Sequence, residues 1–85
     1  MNIPKKIKVG GIVWKIKIIK DLDKLGESNL ATKTISLREM NQQGMEQTFI
    51  HELFHTMNSE VSEIEVEMFC QMLYGIIIDN PKIFK

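Results

Sequence analysis

The hydrophobic period of this chain changes once, and the change bounds what the chain can fold into. Up to Arg38 apolar residues recur at every second position, and after Asn41 they recur at helical spacing. Ile7 and Val9 share one face of the first run, with Lys6 and Lys8 on the other. Past Gly10-Gly11 the alternation resumes, with Ile12, Trp14, Ile16 and Ile18 on one face and Val13, Lys15 and Lys17 opposite. A Gly-Gly pair between two such runs predicts a tight hairpin. Asp21 to Asn29 is polar, contains Gly26 and reads as loop. KTISLR, Lys33 to Arg38, alternates again with Ile35 and Leu37 inward, and its β-branched residues predict a third strand.

Asn41 stands where a helix cap is expected, and Met45, Phe49, Ile50, Leu53, Phe54 and Met57 then follow a helical stripe. The chain turns over at Asn58 to Val61. Ser62 opens a second helix with Val66, Phe69, Cys70, Leu73, Ile76 and Ile77 as its stripe, and Asp79-Asn80-Pro81 ends it. The expectation is one α+β domain over residues 1–85, with a three-stranded antiparallel sheet packed on two antiparallel helices. A chain of 85 residues sits near the size at which a bound metal or a partner helps to hold a fold.

Eleven basic residues balance eleven acidic ones, so net charge gives no reason to expect nucleic acid or a membrane surface as partner. Seven lysines between Lys5 and Lys24 crowd the first third, where their plainest role is to solvate the outer face of the hairpin. Cys70 is the only cysteine, which rules out an internal disulfide and a multi-cysteine metal site. No apolar stretch approaches the roughly 18 residues of a membrane span, and no secretory leader is evident at MNIPKKIKVGG. The expected location is the cytoplasm.

Within the first helix lies HELFH, His51 to His55. Residues four apart on a helix stand on one face about a turn apart, so His51 and His55 can reach one metal ion. Glu52, beside the first histidine, is placed to act on water rather than to ligate. This is the HExxH arrangement of zinc hydrolases. Hydrolytic zinc takes three protein ligands and leaves one position open. The chain has no third histidine, so the third ligand is expected to be a carboxylate from Glu60, Glu63, Glu65 or Glu67. Glu65 borders the apolar stripe drawn through Val66, Phe69 and Leu73, but Ser62-Glu63-Ile64-Glu65 is also a capping box that would occupy it.

The lysine-rich hairpin, TISL, TFIHELFHTM, SEIEVEMFCQMLYGII and DNP together resemble the small phage-associated relatives of the ImmA/IrrE metallopeptidases, within the thermolysin-like zincins. The resemblance covers nearly the whole chain and implies a minimal thermolysin-like zincin core. In that family the helix after HExxH supplies a glutamate in a pattern like E-A-N-x-F-A, which Glu65 to Cys70 match at the glutamate and at Phe69. The resemblance therefore implies zinc held by His51, His55 and Glu65, with Glu52 as catalytic base. Thermolysin-like enzymes often carry an acidic residue four positions after the ligand glutamate, and with Glu65 as ligand Phe69 takes that place.

The function that follows is a zinc-dependent peptidase for a specific protein or peptide substrate, whose extended chain pairs with the Lys33 to Leu37 strand as the edge of the cleft. The alternative is a non-catalytic, zinc-stabilised module that binds a regulatory protein. Tyr74 and Cys70 read as helix packing rather than as a transition-state donor or a ligand.

Overall fold

Gly10 and Gly11 adopt φ of 57° and 81°, the left-handed region that a two-residue hairpin turn demands at both positions. They join β1 (Lys6–Val9) to β2 (Ile12–Ile19) in antiparallel register, Ile7 opposite Trp14. The computed structural model describes residues 2–58 and 60–82. Its remaining elements are β3 (Gly26–Asn29), β4 (Thr34–Arg38), α1 (Gln42–Met57) and α2 (Glu63–Asp79). Ser59, in the expected interhelical turn, lies outside the described residues.

The α+β class and the two helices are as expected, but the sheet differs. It has four strands in the order β1-β2-β4-β3, and it is mixed. β4 lies parallel to β2, with Ile16 beside Ile35 and Ile18 beside Leu37, and antiparallel to β3. The stretch expected to be loop thus supplies a strand. After β2 the chain passes the neighbouring position, lays down β3 one place further out, and returns through residues 30–33 to insert β4 between them. Asn29 Oδ1 accepts from the backbone N–H groups of Ala31 and Thr32, which tightens that return. Lys33, at φ 51°, completes it, and its carbonyl accepts from Lys15 N–H to start the parallel ladder.

Alternation along β2 and β4 sends Trp14, Ile16, Ile35 and Leu37 to one face, where Phe49 of α1 closes a core with them. A second core lies on the next side of α1, where Ile50 meets Val66, Cys70 and Tyr74 of α2. Adjacent residues Phe49 and Ile50 therefore serve different layers. Glu46 meets Tyr74, His51 meets Glu67 and His55 meets Glu63, so the two helices run antiparallel. Both carry the expected caps: Asn41 accepts from Gly44 N–H, and Ser62 from Glu65 N–H. No helix among the described residues is long and apolar enough to cross a membrane.

Two carboxylates are buried, and both have partners. Glu46 accepts from Tyr74 Oη at 2.8 Å and Gln42 Nε2 at 2.8 Å. Burial pushes its carboxyl up, and interactions that include these hydrogen bonds hold it below the usual carboxylate range. Tyr74 is pushed up to about 12, mainly by burial and further by the Glu46 carboxylate. Its packing role is as expected, and the ring also carries a hydrogen bond that the sequence did not disclose. Glu52 is the second buried carboxylate.

β3 can lie against α1 only because Gly26 has no side chain. A Cβ there would stand 2.5 Å from Thr48 Cγ2 and 3.1 Å from Glu52 Cγ. Thr48 is β-branched and bonded through Oγ1 to the Gly44 carbonyl, so it cannot swing clear. Gly26→Ala is expected to cost about 1–3 kcal/mol, the usual scale of overpacking. Adding Thr48→Ser, which removes the opposing methyl and keeps the hydroxyl, should recover most of that loss. Urea denaturation of the two single variants and the double variant measures both effects.

Candidate metal centre

His51 and His55 stand one turn apart on the face of α1 between β3 and α2. The turn spacing brings their Nε2 atoms to 3.2 Å. Glu63, the first residue of α2, completes the cluster. Its Oε1 lies 2.8 Å from His55 Nε2 and its Oε2 lies 3.2 Å from His51 Nε2. One donor atom from each of the three falls within 4.8 Å of the other two. The arrangement is consistent with a zincin-like HExxH motif completed by a glutamate from the next helix, and it can hold a metal ion.

The donor spacings test that fit. Two ligands about 2.0–2.1 Å from one tetrahedral zinc stand about 3.3 Å apart. The histidine nitrogens already have nearly that separation, and the carboxylate oxygens lie close to it. Two neutral imidazoles and one carboxylate form a donor set that zinc accepts at hydrolytic centres. Both histidines are partly buried, while Glu63 is largely exposed on the far wall.

The four glutamates considered for the third position are now separated. Glu63 is the one brought to the histidines. Glu65 is held at the N-cap of α2: Ser62 Oγ accepts from its N–H at 3.2 Å and donates to its carboxylate at 3.1 Å. Glu60 is exposed in the interhelical turn. Glu67 lies 3.4 Å from His51 Nδ1, behind the ring. A histidine that gives one nitrogen to a metal usually gives the other to a carboxylate or carbonyl, and Glu67 is placed to receive it.

The reason lies in the buried line of α2. Val66, Cys70 and Tyr74 form it, four residues apart, whereas Phe69 is 54% exposed. A stripe drawn through Phe69 rotates the helix and puts Glu65 at the border. The observed stripe puts Glu63 and Glu67 there instead.

Glu52 faces β3 and lines the same clefts as the three donors. Ser28 Oγ donates to Glu52 Oε1 at 2.7 Å, and also lies 3.2 Å from the Glu52 carbonyl. Ser28 was not identified from the sequence. The signal available was weak: Gly26 and Ser28 alternate, but neither is apolar. A cleft of about 500 Å³ opens on one side of Glu52, reaching Gln47, Glu67 and Cys70, and another of about 300 Å³ opens on the other side towards Leu30 and His55. β4 is paired on both sides and cannot be the cleft edge expected of it. Among the described strands, β3 is the one whose free edge borders both clefts. Cys70 is buried in the second core, and burial pushes its thiol up to about 11, with the Glu67 and Glu52 charges adding to the shift.

No protein-family model, curated protein or solved structure matches the chain.

Zinc titration separates the glutamates. Glu63→Ala should weaken zinc binding at least as much as His51→Ala, by 100-fold or more, while Glu65→Ala should bind zinc with unchanged affinity. Unchanged binding in the Glu63 variant would remove that residue from the set. Cys70 supplies a separate check. The thiol stays protonated until the pH rises through about 11. Its alkylation by iodoacetamide at pH 8 should therefore be slower than that of the urea-unfolded chain by at least about 100-fold, the ratio of thiolate fractions.

Proposed function

We propose that this domain is a zinc-dependent peptidase in which His51, His55 and Glu63 hold the metal and Glu52 is the catalytic base. The observation that carries the reading is the convergence of three donors at zinc-like spacings beside clefts that the buried Glu52 also lines. Among the described residues the cluster has three protein donors, where closed structural sites usually have four. That favours hydrolysis over a purely stabilising zinc.

When bound, zinc supplies a Lewis acid that acidifies water and stabilises negative charge developing on a carbonyl oxygen. The remaining roles belong to the chain. Glu52 takes the proton from the attacking water and delivers it to the departing amine. Ser28 fixes Glu52 Oε1, which leaves Oε2 to carry that proton. Glu67 orients the His51 ring through Nδ1. An extended peptide adds to the free edge of β3, with main-chain hydrogen bonds supplying affinity and the two clefts receiving side chains on either side of the scissile bond. So few gripping side chains suit a particular protein substrate rather than peptides at large. The proposal includes membership in the phage-associated ImmA/IrrE-like group and a cytoplasmic location, which a single free thiol fits.

Glu52→Gln keeps the size of the side chain and removes the proton acceptor. This variant should fold and load zinc like wild type while peptide hydrolysis falls at least 10²-fold, the lower scale of general-base assistance. The assay uses a protein captured by zinc-loaded Glu52→Gln and then incubated with zinc-loaded wild type. Cleavage by wild type alone supports the mechanism. Equal cleavage by both proteins removes Glu52 as base, and an intact captured protein favours a binding module.

A further inference from the structure

The outer side of α2 does not suit a surface in water. Residues 68–78, MFCQMLYGIII, contain no charged side chain. Only one line of the helix, Val66, Cys70 and Tyr74, is buried against α1. Away from that line, Ile64, Met68, Met72 and Ile76 recur at four-residue steps and are 74%, 60%, 66% and 47% exposed, with Phe69 beside them at 54%. A helix that is apolar on nearly all sides is normally covered on more than one, and a continuous patch of this kind on a small domain marks an interaction site.

We infer that a second copy of this chain covers it, with α2 packed antiparallel against its counterpart about a twofold axis. The spacing of the stripe is the first reason. A twofold interface requires that if residue i meets residue j, j also meets i. An evenly spaced row of four satisfies this on reversal: Ile64 meets Ile76 of the other copy, and Met68 meets Met72.

Charge is the second reason, and it fixes the direction. The acidic residues at the start of the helix, Glu63, Glu65 and Glu67, have no basic residue on α2 to answer them. Of these, Glu65 lies on the outer stripe, and parallel packing in register would set it against its own copy. Antiparallel packing sends the two Glu65 residues to opposite ends, and in this register each falls opposite Gly75, around whose missing Cβ the space is open.

Area is the third reason. Five large side chains at these exposures present on the order of 100 Å² each, so covering the stripe fully in both copies buries about 1,000 Å², the threshold between a lattice-sized contact and a weak, reversible dimer. Glu63 and Glu67 lie on the side of α2 facing His51, so pairing through the stripe leaves the metal cluster open.

Sedimentation equilibrium of the full chain should show a monomer–dimer equilibrium at micromolar concentration. Met68→Glu with Met72→Glu should weaken the dimer by at least 100-fold without changing helical content or zinc binding. Val13→Glu, on the bare face of the sheet, should leave the dimer intact. Direction is read by mild oxidation of cysteine variants. Ile64→Cys mixed with Ile76→Cys should crosslink as the mixed pair, and Ile64→Cys alone should not crosslink to itself. A chain that stays monomeric to millimolar concentration overturns the inference. So does a dimer that survives both glutamates, or an Ile64→Cys homodimer.

Discussion

Closeness of β3 to α1 governs the candidate centre. The bare backbone of Gly26 lets the strand reach the helix, and Ser28, two residues on, then bonds the carboxylate of Glu52. That contact buries Glu52 and also satisfies it. A buried carboxylate without a donor would carry a desolvation penalty of several kcal/mol or take up a proton. The same contact leaves the outer edge of β3 free beside the histidines. With the Lys33 to Leu37 strand as the cleft edge, as expected from the sequence, no strand would hold Glu52.

α1 is the element shared by every layer. Phe49 joins it to the sheet and Ile50 to α2, while Glu52 faces β3 and His51 and His55 face the start of α2. The side chains of one helix thus divide between two cores and a polar centre. Buried polar atoms are satisfied throughout: among the described residues no buried side-chain nitrogen or oxygen lacks a partner. The Glu46–Tyr74 hydrogen bond pins α2 to α1 near one end, and the histidine–glutamate cluster joins them near the other. A zinc ion bound there would act across two helices and contribute to the stability of a domain with little core.

Much of this was legible from residue spacing, and the misreadings have identifiable causes. The hairpin turn, both helix caps and the HExxH helix rest on local chemistry that tertiary contacts did not override. β3 escaped because its inward positions are Gly26 and Ser28, chosen for closeness and hydrogen bonding rather than burial, so no apolar alternation marks it. Strand order escaped for another reason. Alternation tells which face of a strand is buried but not which strand lies beside it, and a parallel β2–β4 pair carries the same pattern as an antiparallel one. The shift from Glu65 to Glu63 came from treating Phe69 as core. Its 54% exposure puts it on the outer side of α2, away from the Val66–Cys70–Tyr74 line, and apolar character alone does not distinguish the two sides.

The proposed function requires that α1 and α2 together build a three-ligand zinc centre beside Glu52. Anomalous diffraction at the zinc edge, on crystals of the zinc-loaded protein, tests it most directly. One strong peak is expected, bonded to His51 Nε2, His55 Nε2 and a Glu63 oxygen at about 2.0–2.2 Å, with Glu65 still at Ser62 and no fourth protein ligand. A peak elsewhere, Glu65 in place of Glu63, or a fourth protein group closing the shell would contradict it.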